Sequence, residues 1–133
     1  MDDNQKELIY KFQMFEQQIK QLQQQLQAVE ENTGELISLA DGLETLKGKK
    51  GEEIRAPIGR GIFVKANLLS EDLIVDVGGK NFVKKDINST KKLITDQIGK
   101  LGHIKADLEN SLEQMNEELM KVMVEVQQMQ RKK

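Results

Sequence analysis

Apolar residues recur over the first third of the chain with alternating gaps of four and three positions, beginning at Leu8, Phe12 and Phe15. With Phe12 at heptad position a, this phase holds for five consecutive heptads. A period of 3.5 residues is typical of supercoiled helices. In a straight helix with 3.6 residues per turn, residues at this spacing would drift around the helix and leave the line of contact with the partner helix, which we call the seam. The pattern predicts a coiled-coil helix over residues 4–47. Its predicted seam residues are Phe15, Ile19, Leu22, Leu26, Val29, Leu36 and Leu43.

The same heptad pattern returns in the last third of the chain and predicts a second coiled-coil helix over residues 88–131. Asp86 and Asn88 are candidate caps for its start, because their short side chains can accept hydrogen bonds from the first free N–H groups. Lys91 and Lys105 fall at position a, where an apolar residue is usual. The predicted seam residues of this helix are Ile94, Ile98, Leu101, Leu108, Leu112, Met115, Leu119 and Val122.

Between the helices, the pattern changes to a period of two over residues 48–86, which we call the β module. Its β-branched residues, with glycine-containing turns at 59–61 and 78–81, predict four short strands in two hairpins. Two hairpins are too small to bury both of their faces, so we expect the β module to assemble with the same module of another chain. The predicted assembly residues are Ile58, Ile62, Phe63, Val64, Leu68, Leu69, Ile74, Val75, Val77 and Phe82.

The two heptad phases also predict how the helices pair. If the chain folds back so that the helices are antiparallel, each residue at position a faces a residue at position d. The residue numbers of facing pairs then add to a constant. A constant of 134 pairs Lys47 with Ile87, next to the β module, and Ile19 with Met115 further along the helices. The predicted fold is therefore mainly α with a small β module: a long antiparallel two-helix coiled coil joined by two β-hairpins. We expect residues 1–133 to form a single domain.

Apolar residues leave the seam near the ends of the helices that lie away from the β module. Three lie in the first helix (Ile9, Tyr10, Met14) and three in the second (Met120, Met123, Val124). An apolar patch at such an end usually marks an interaction site, and methionine is common on surfaces that repack against many partners. The alternative is that these residues only close the coiled coil. Together with neighbouring seam residues, the tip residues are Leu8, Ile9, Tyr10, Phe12, Met14, Met120, Met123, Val124, Val126 and Met129.

Composition and charge exclude several classes of function. The net charge is −2, and residues 1–47 carry nine acidic against four basic residues, which argues against nucleic-acid binding. The absence of Cys and the presence of a single His leave little material for catalysis or for a metal site, so we expect neither an enzyme nor a cofactor. No apolar run approaches the roughly 20 residues of a membrane span, and the first four residues do not resemble a signal peptide, so we expect a cytoplasmic protein without membrane contact.

The whole pattern resembles the alpha class of the archaeal prefoldin family. The most specific part of the resemblance is the β module, with Ala56-Pro57-Ile58-Gly59, Phe63-Val64-Lys65-Ala66, Ile74-Val75-Asp76-Val77-Gly78-Gly79 and Phe82-Val83-Lys84-Lys85-Asp86 between two heptad helices. The resemblance implies an ATP-independent chaperone, in which the tip residues hold unfolded client proteins and pass them to a group II chaperonin. It also implies a hexamer of two alpha and four beta subunits joined through the β modules. The alternative is a coiled-coil scaffold or spacer without client binding, which would leave the apolar tip unexplained.

Overall fold

The computed structural model of the chain describes residues 2–131. It contains two long helices with two small antiparallel hairpins between them, which confirms the predicted fold class. The elements in chain order are α1 (Asp3–Glu44), β1 (Glu53–Gly59), β2 (Ile62–Asn67), β3 (Leu73–Asp76), β4 (Phe82–Lys85) and α2 (Ile87–Arg131). No helix within residues 2–131 combines the length and apolarity needed to cross a membrane.

The helix ends are set by local hydrogen bonds. Asp86 caps α2, since its Oδ1 accepts a hydrogen bond of 2.6 Å from the backbone N–H of Ser89. This hydrogen bond also holds the pKa of the Asp86 carboxyl below its usual value. Helix α1 ends at Glu44, earlier than the predicted residue 47, because the N–H groups of Leu46 and Lys47 bond to carbonyls three residues back and tighten the chain into a turn.

The β module forms two separate two-stranded sheets, as the period-two pattern predicts. In the first, β1 pairs antiparallel with β2, with Ala56 opposite Val64 and an irregularity between Pro57 and Gly59. In the second, β3 pairs antiparallel with β4, with Val75 opposite Val83. Both turns lie where they were predicted. Each contains three consecutive residues with positive φ: Gly59 (145°), Arg60 (50°) and Gly61 (77°), then Gly78 (127°), Gly79 (58°) and Lys80 (62°). The last two of each set have the left-handed conformation that suits the right-handed twist of a tight hairpin.

Residues 34–99 pack as one compact unit. Its core consists of Leu43, Ile87 and Ile94, which are 4–9% exposed. Leu36, Ala40 and Leu46 of the first helix and its following turn pack against this core, as do Leu73 of β3 and Ile98 of α2. The core thus joins the second hairpin to the neighbouring parts of both helices.

A second compact unit combines α1 up to Thr33 with α2 from Lys100 onward. Its most buried apolar residues are Ile19, Val29 and Val122, at 7–9% exposure. Thr33 is the one polar residue in the apolar series of α1, and its hydroxyl donates a hydrogen bond of 2.8 Å to the carbonyl oxygen of Val29. This bond satisfies the hydroxyl within its own helix.

In both units, burial follows the heptad positions. Every predicted seam residue of α1 and α2 is buried or half-buried. The exposed residues between them are mostly Gln, Glu, Lys and Asn. Gly99 and Gly102 are exposed with open space where a side chain would lie, and nothing in the structure explains them.

Candidate functional site

The off-seam tip residues are exposed in the structure. Six large apolar side chains lie on the first turns of α1 and the last turns of α2, and each is between 36% and 66% exposed: Ile9, Tyr10, Met14, Met120, Met123 and Val124. Leu8, Phe12, Val126 and Met129 are half-buried beside them. Met1 lies outside the described residues. That the tip residues bind a partner stays a prediction.

Four of the tip residues come together around one small groove. Ile9 and Phe12 of α1 and Met123 and Val126 of α2 line a space of about 260 Å³, and the amide-bearing Gln127 is the one polar residue of the lining. Ile9 and Met123 both occupy heptad position e, and the e positions of antiparallel helices lie on the same side of the pair. Tyr10, Met14, Met120 and Val124 lie outside this lining. The groove has the size and polarity to receive an apolar side chain.

The β module carries a second set of exposed apolar residues. Eight of its ten predicted assembly residues are between 45% and 85% exposed: Ile58, Ile62, Phe63, Val64, Leu69, Ile74, Val77 and Phe82. The other two, Leu68 and Val75, are half-buried. Strand alternation explains the contrast between neighbours. Val75 lies on the same face of β3 as Leu73, which packs against the core, whereas Ile74 lies on the opposite face and is 77% exposed. So much exposed apolar surface is unusual for a free monomer.

Two exposed leucines beside the β module were not predicted from the sequence. Leu39 of α1 and Leu93 of α2 are 50% and 39% exposed. Together with β3 and with seam residues such as Leu43 and Ile94, they line an open groove of about 640 Å³. Leu39 is at heptad position g and Leu93 at position c, both outside the seam. A large apolar residue at such a position was the feature of the sequence that could have predicted their exposure. The groove continues the exposed apolar surface of the second hairpin onto the helices.

Charged contacts near the β module connect the two helices. The Lys91 ammonium of α2 bonds to Oε2 of Glu44 on α1, and Lys47 lies 3.1 Å from the same oxygen. The hydrogen bonds from Lys91 and Lys47 hold the pKa of the Glu44 carboxyl below its usual value. Across residues 2–131, no cluster of three or more His, Cys, Asp or Glu side chains is arranged to hold a metal ion. The surfaces described here are suited to binding other chains.

Comparison with known proteins agrees with this architecture. The family model described as "Prefoldin subunit" matches residues 15–132. A prefoldin subunit alpha of Methanobrevibacter smithii is 34% identical over 110 residues, which cover 82% of this chain and 70% of that protein. A prefoldin subunit alpha of Pyrobaculum aerophilum is 28% identical over 83% of both chains.

A solved structure shares the fold. A chain in the cryo-EM structure of filamentous PFD from Methanocaldococcus jannaschii superposes with a TM-score of 0.76, covering 87% of this chain and 98% of that one at 19% identity. The family match covers most of the sequence, and the Methanobrevibacter relative matches over most of its own length. The chain therefore belongs to the prefoldin family of molecular chaperone subunits.

Proposed function

We propose that this chain is an alpha-type prefoldin subunit that acts as a holdase, capturing non-native polypeptides at its tip residues without ATP. The observation that carries the proposal is the exposure of Ile9, Tyr10, Met14, Met120, Met123 and Val124 around the tip groove. Covering an apolar side chain contributes about 1.5–3 kcal/mol when it is fully buried, and part of this offsets the ordering of the bound segment. A few such contacts give weak binding at one tip.

Weak binding becomes effective when several tips act together. Linked sites raise the effective concentration of the second contact, so overall affinity can exceed that of a single tip by about 10² to 10⁴. We propose that the exposed apolar residues of the β module join this chain to a second alpha subunit and to four beta subunits in a hexamer. Holding a chain requires only preferential binding to its unfolded state, so the activity needs no nucleotide, cofactor or catalytic residue.

We further propose where the complex acts and where its clients go next. The complex works in the cytoplasm and passes its clients to a group II chaperonin. The Gln-rich outer positions of α1 support a role in solution, because they surround the seam with uncharged polar groups that hydrogen-bond to water. The proposal includes no contact with membranes or nucleic acids.

The test compares tip variants in complexes reconstituted with prefoldin beta subunits. Ile9→Ser with Met123→Ser removes the two position-e side chains from the tip groove. The matched control is Ile37→Ser with Ile104→Ser, since these side chains are 48% and 46% exposed and lie outside the tip residues. Light scattering of guanidine-denatured rhodanese, diluted into each complex, measures aggregation. We expect the tip variant to need at least about threefold more complex for half-suppression, in line with losing about 1 kcal/mol at each of the tips involved.

The other outcomes have definite meanings. Equal loss in both variants would assign capture to apolar surface in general and not to the tip. Full suppression by the tip variant, with an intact hexamer, would contradict client binding at these residues. A wild-type complex that suppresses no aggregation would favour the coiled-coil scaffold.

A further inference from the structure

Two lysines occupy seam positions in α2, and each reaches a glutamate of α1. Lys91 bonds to Glu44, and the Lys105 ammonium lies 3.7 Å from Oε1 of Glu30. Both lysines are at position a and both glutamates at position e, one residue after the buried Leu43 and Val29. The lysine side chains are 32% and 45% exposed. Their methylene stems thus lie along the seam while their ammonium groups reach its edge.

We propose that Lys91 and Lys105 help to select the alignment of α2 on α1, because both meet a glutamate of α1 in the observed register and neither does after a slip of one heptad. The residue numbers of each Lys–Glu pair add to 135, so the same alignment produces both contacts. The spacing is also the same in the two helices, since the lysines and the glutamates are each 14 residues apart. Polar residues at position a specify coiled-coil register in this way, at some cost in stability.

A slip of one heptad removes both contacts. Shifting α2 toward the start of α1 would bring Lys91 beside Ile37 and Lys105 beside Gln23. The opposite shift would bring Lys105 beside Ile37 and carry Lys91 beyond Glu44, where α1 ends. In both slipped alignments neither lysine meets a glutamate of α1, and Lys105 keeps only Glu109 of its own helix, 3.9 Å away. Both alignments therefore lose the two interhelical ion pairs and are disfavoured.

A slip of two heptads would offer glutamates again, because Lys91 would meet Glu30 and Lys105 would meet Glu16. It would also leave about 21 Å of each helix without a partner, at 1.5 Å per residue. The lysines disfavour one further pairing. Two copies of α2 in a parallel coiled coil would place each lysine against its own copy, and like charges at the seam repel.

The test uses disulfides as reporters of alignment, since the chain contains no Cys of its own. Ile19→Cys with Met115→Cys reports the observed register. Ile19→Cys with Leu108→Cys, or with Val122→Cys, reports a slip of one heptad in either direction. Each reporter pair is placed in the full chain, assembled with beta subunits, and oxidised in a glutathione buffer. Mass spectrometry then separates intrachain from interchain disulfides.

The decisive variant is Lys91→Met with Lys105→Met, which keeps an unbranched side chain of similar length, removes the charge and leaves good helix formers at the seam. We expect the sum of slipped and interchain disulfides to rise about tenfold, since two ion pairs of modest strength together favour the observed register by that factor. The matched control is Lys92→Met with Lys100→Met, which removes two exposed lysines from the same helix and should change nothing.

A charge exchange separates ion pairing from other effects of the lysines. Lys91→Glu with Glu44→Lys, combined with Lys105→Glu with Glu30→Lys, restores opposite charges between the helices and should return the disulfides to the 19–115 pair. Lys47→Gln and Glu109→Gln are included, because Lys47 and Glu109 would otherwise repel the exchanged charges at 44 and 105. Concentrated NaCl should weaken the preference in the unmodified protein, because exposed charges are screened. The proposal is overturned if the Lys91 and Lys105 variant gives no more slipped or interchain disulfide than its control, or if the charge exchange fails to restore the 19–115 pair.

Discussion

The backbone N–H of Gly48 donates a hydrogen bond of 2.9 Å to Oε1 of Glu71. Gly48 belongs to the turn that follows α1, and its φ of 73° suits a residue without a side chain. Glu71 lies in the connection between the two hairpins. This contact therefore links the end of α1 to the middle of the β module, beside the backbone hydrogen bonds that pair Gly51 and Glu52 with Leu68.

Removing this acceptor should loosen the junction locally. We expect Glu71→Ala to speed amide hydrogen exchange at Gly48 about fivefold, which corresponds to losing a hydrogen bond worth about 1 kcal/mol. Glu71→Gln is the matched control, because its amide oxygen can still accept the bond. Equal exchange rates in the two variants would mean that the carboxylate does not hold the turn.

Acid should weaken the contact between the helices beside the β module. Hydrogen bonds from Lys91 and Lys47 hold the pKa of Glu44 below its ordinary value of 4.5. The stability that Glu44 contributes is therefore fully present above pH 4.5 and is lost as the pH falls through the lowered pKa of the folded state. We expect Glu44→Gln to lower the urea midpoint at pH 7 and to show a smaller fall between pH 5 and pH 3 than the unmodified chain. Glu35→Gln, at an exposed position of α1, should follow the unmodified chain.

Two isoleucines of α2 should differ in their importance for stability. Ile94 is 6% exposed and belongs to the core beside the second hairpin, whereas Ile104 is 46% exposed. Ile94→Ala should lower the free energy of unfolding by about 2–4 kcal/mol, since it removes buried methylene groups and leaves a cavity. Ile104→Ala should cost less than about 1 kcal/mol, because its side chain is half in water already. Urea unfolding followed by circular dichroism measures both, and similar losses would contradict the assignment of the core.

Assembly should depend on the outward face of the second hairpin. Ile74 is 77% exposed, and placing a carboxylate there should dissociate the complex without unfolding the helices. Val75 is a poorer probe, because it is half-buried on the face of β3 that carries Leu73 onto the core of its own chain. We expect Ile74→Asp to reduce the oligomer mass measured by light scattering. Asn81→Asp adds the same charge in the adjacent turn and should leave the mass unchanged. An oligomer of full mass in the Ile74 variant would place the assembly surface elsewhere.

Much of this architecture was accessible from the sequence because it rests on short-range patterns. Residues at positions a and d repeat every seven residues. The heptad positions of residues such as Ile19 and Val122, and hence their burial at the seam, can therefore be predicted by counting along the sequence. The hairpins are equally local. In each turn a glycine, Gly61 or Gly79, supplies one of the two positive φ values that a two-residue loop requires, and Arg60 or Lys80 supplies the other. Asp86 as a cap is the same kind of signal, although Asn88 was an equal candidate until the hydrogen bond from Ser89 decided between them.

Features that depend on contacts between distant parts of the chain could not be predicted from these local patterns. The alternation in β3 predicts that Ile74 and Val75 point to opposite sides, but which side is covered depends on where the hairpin packs against Leu43 and Ile94. The groove lined by Leu39 and Leu93 also arises only when two helices and a strand come together. Heptad phase marks both leucines as off the seam and says nothing of what they adjoin.

For the seam lysines Lys91 and Lys105, the sequence determines one part of each contact and the tertiary structure determines the other. Their place at position a, and the repeating 14-residue spacing, are properties of the sequence. In the packed helix pair, each ammonium group reaches a glutamate at position e and does not stay at the seam. A lysine side chain has many rotamers, and it adopts the one in which the ammonium meets a carboxylate while the methylene stem stays on apolar neighbours. Periodicity is encoded residue by residue, whereas side-chain partners are selected only after the backbone has brought distant positions together.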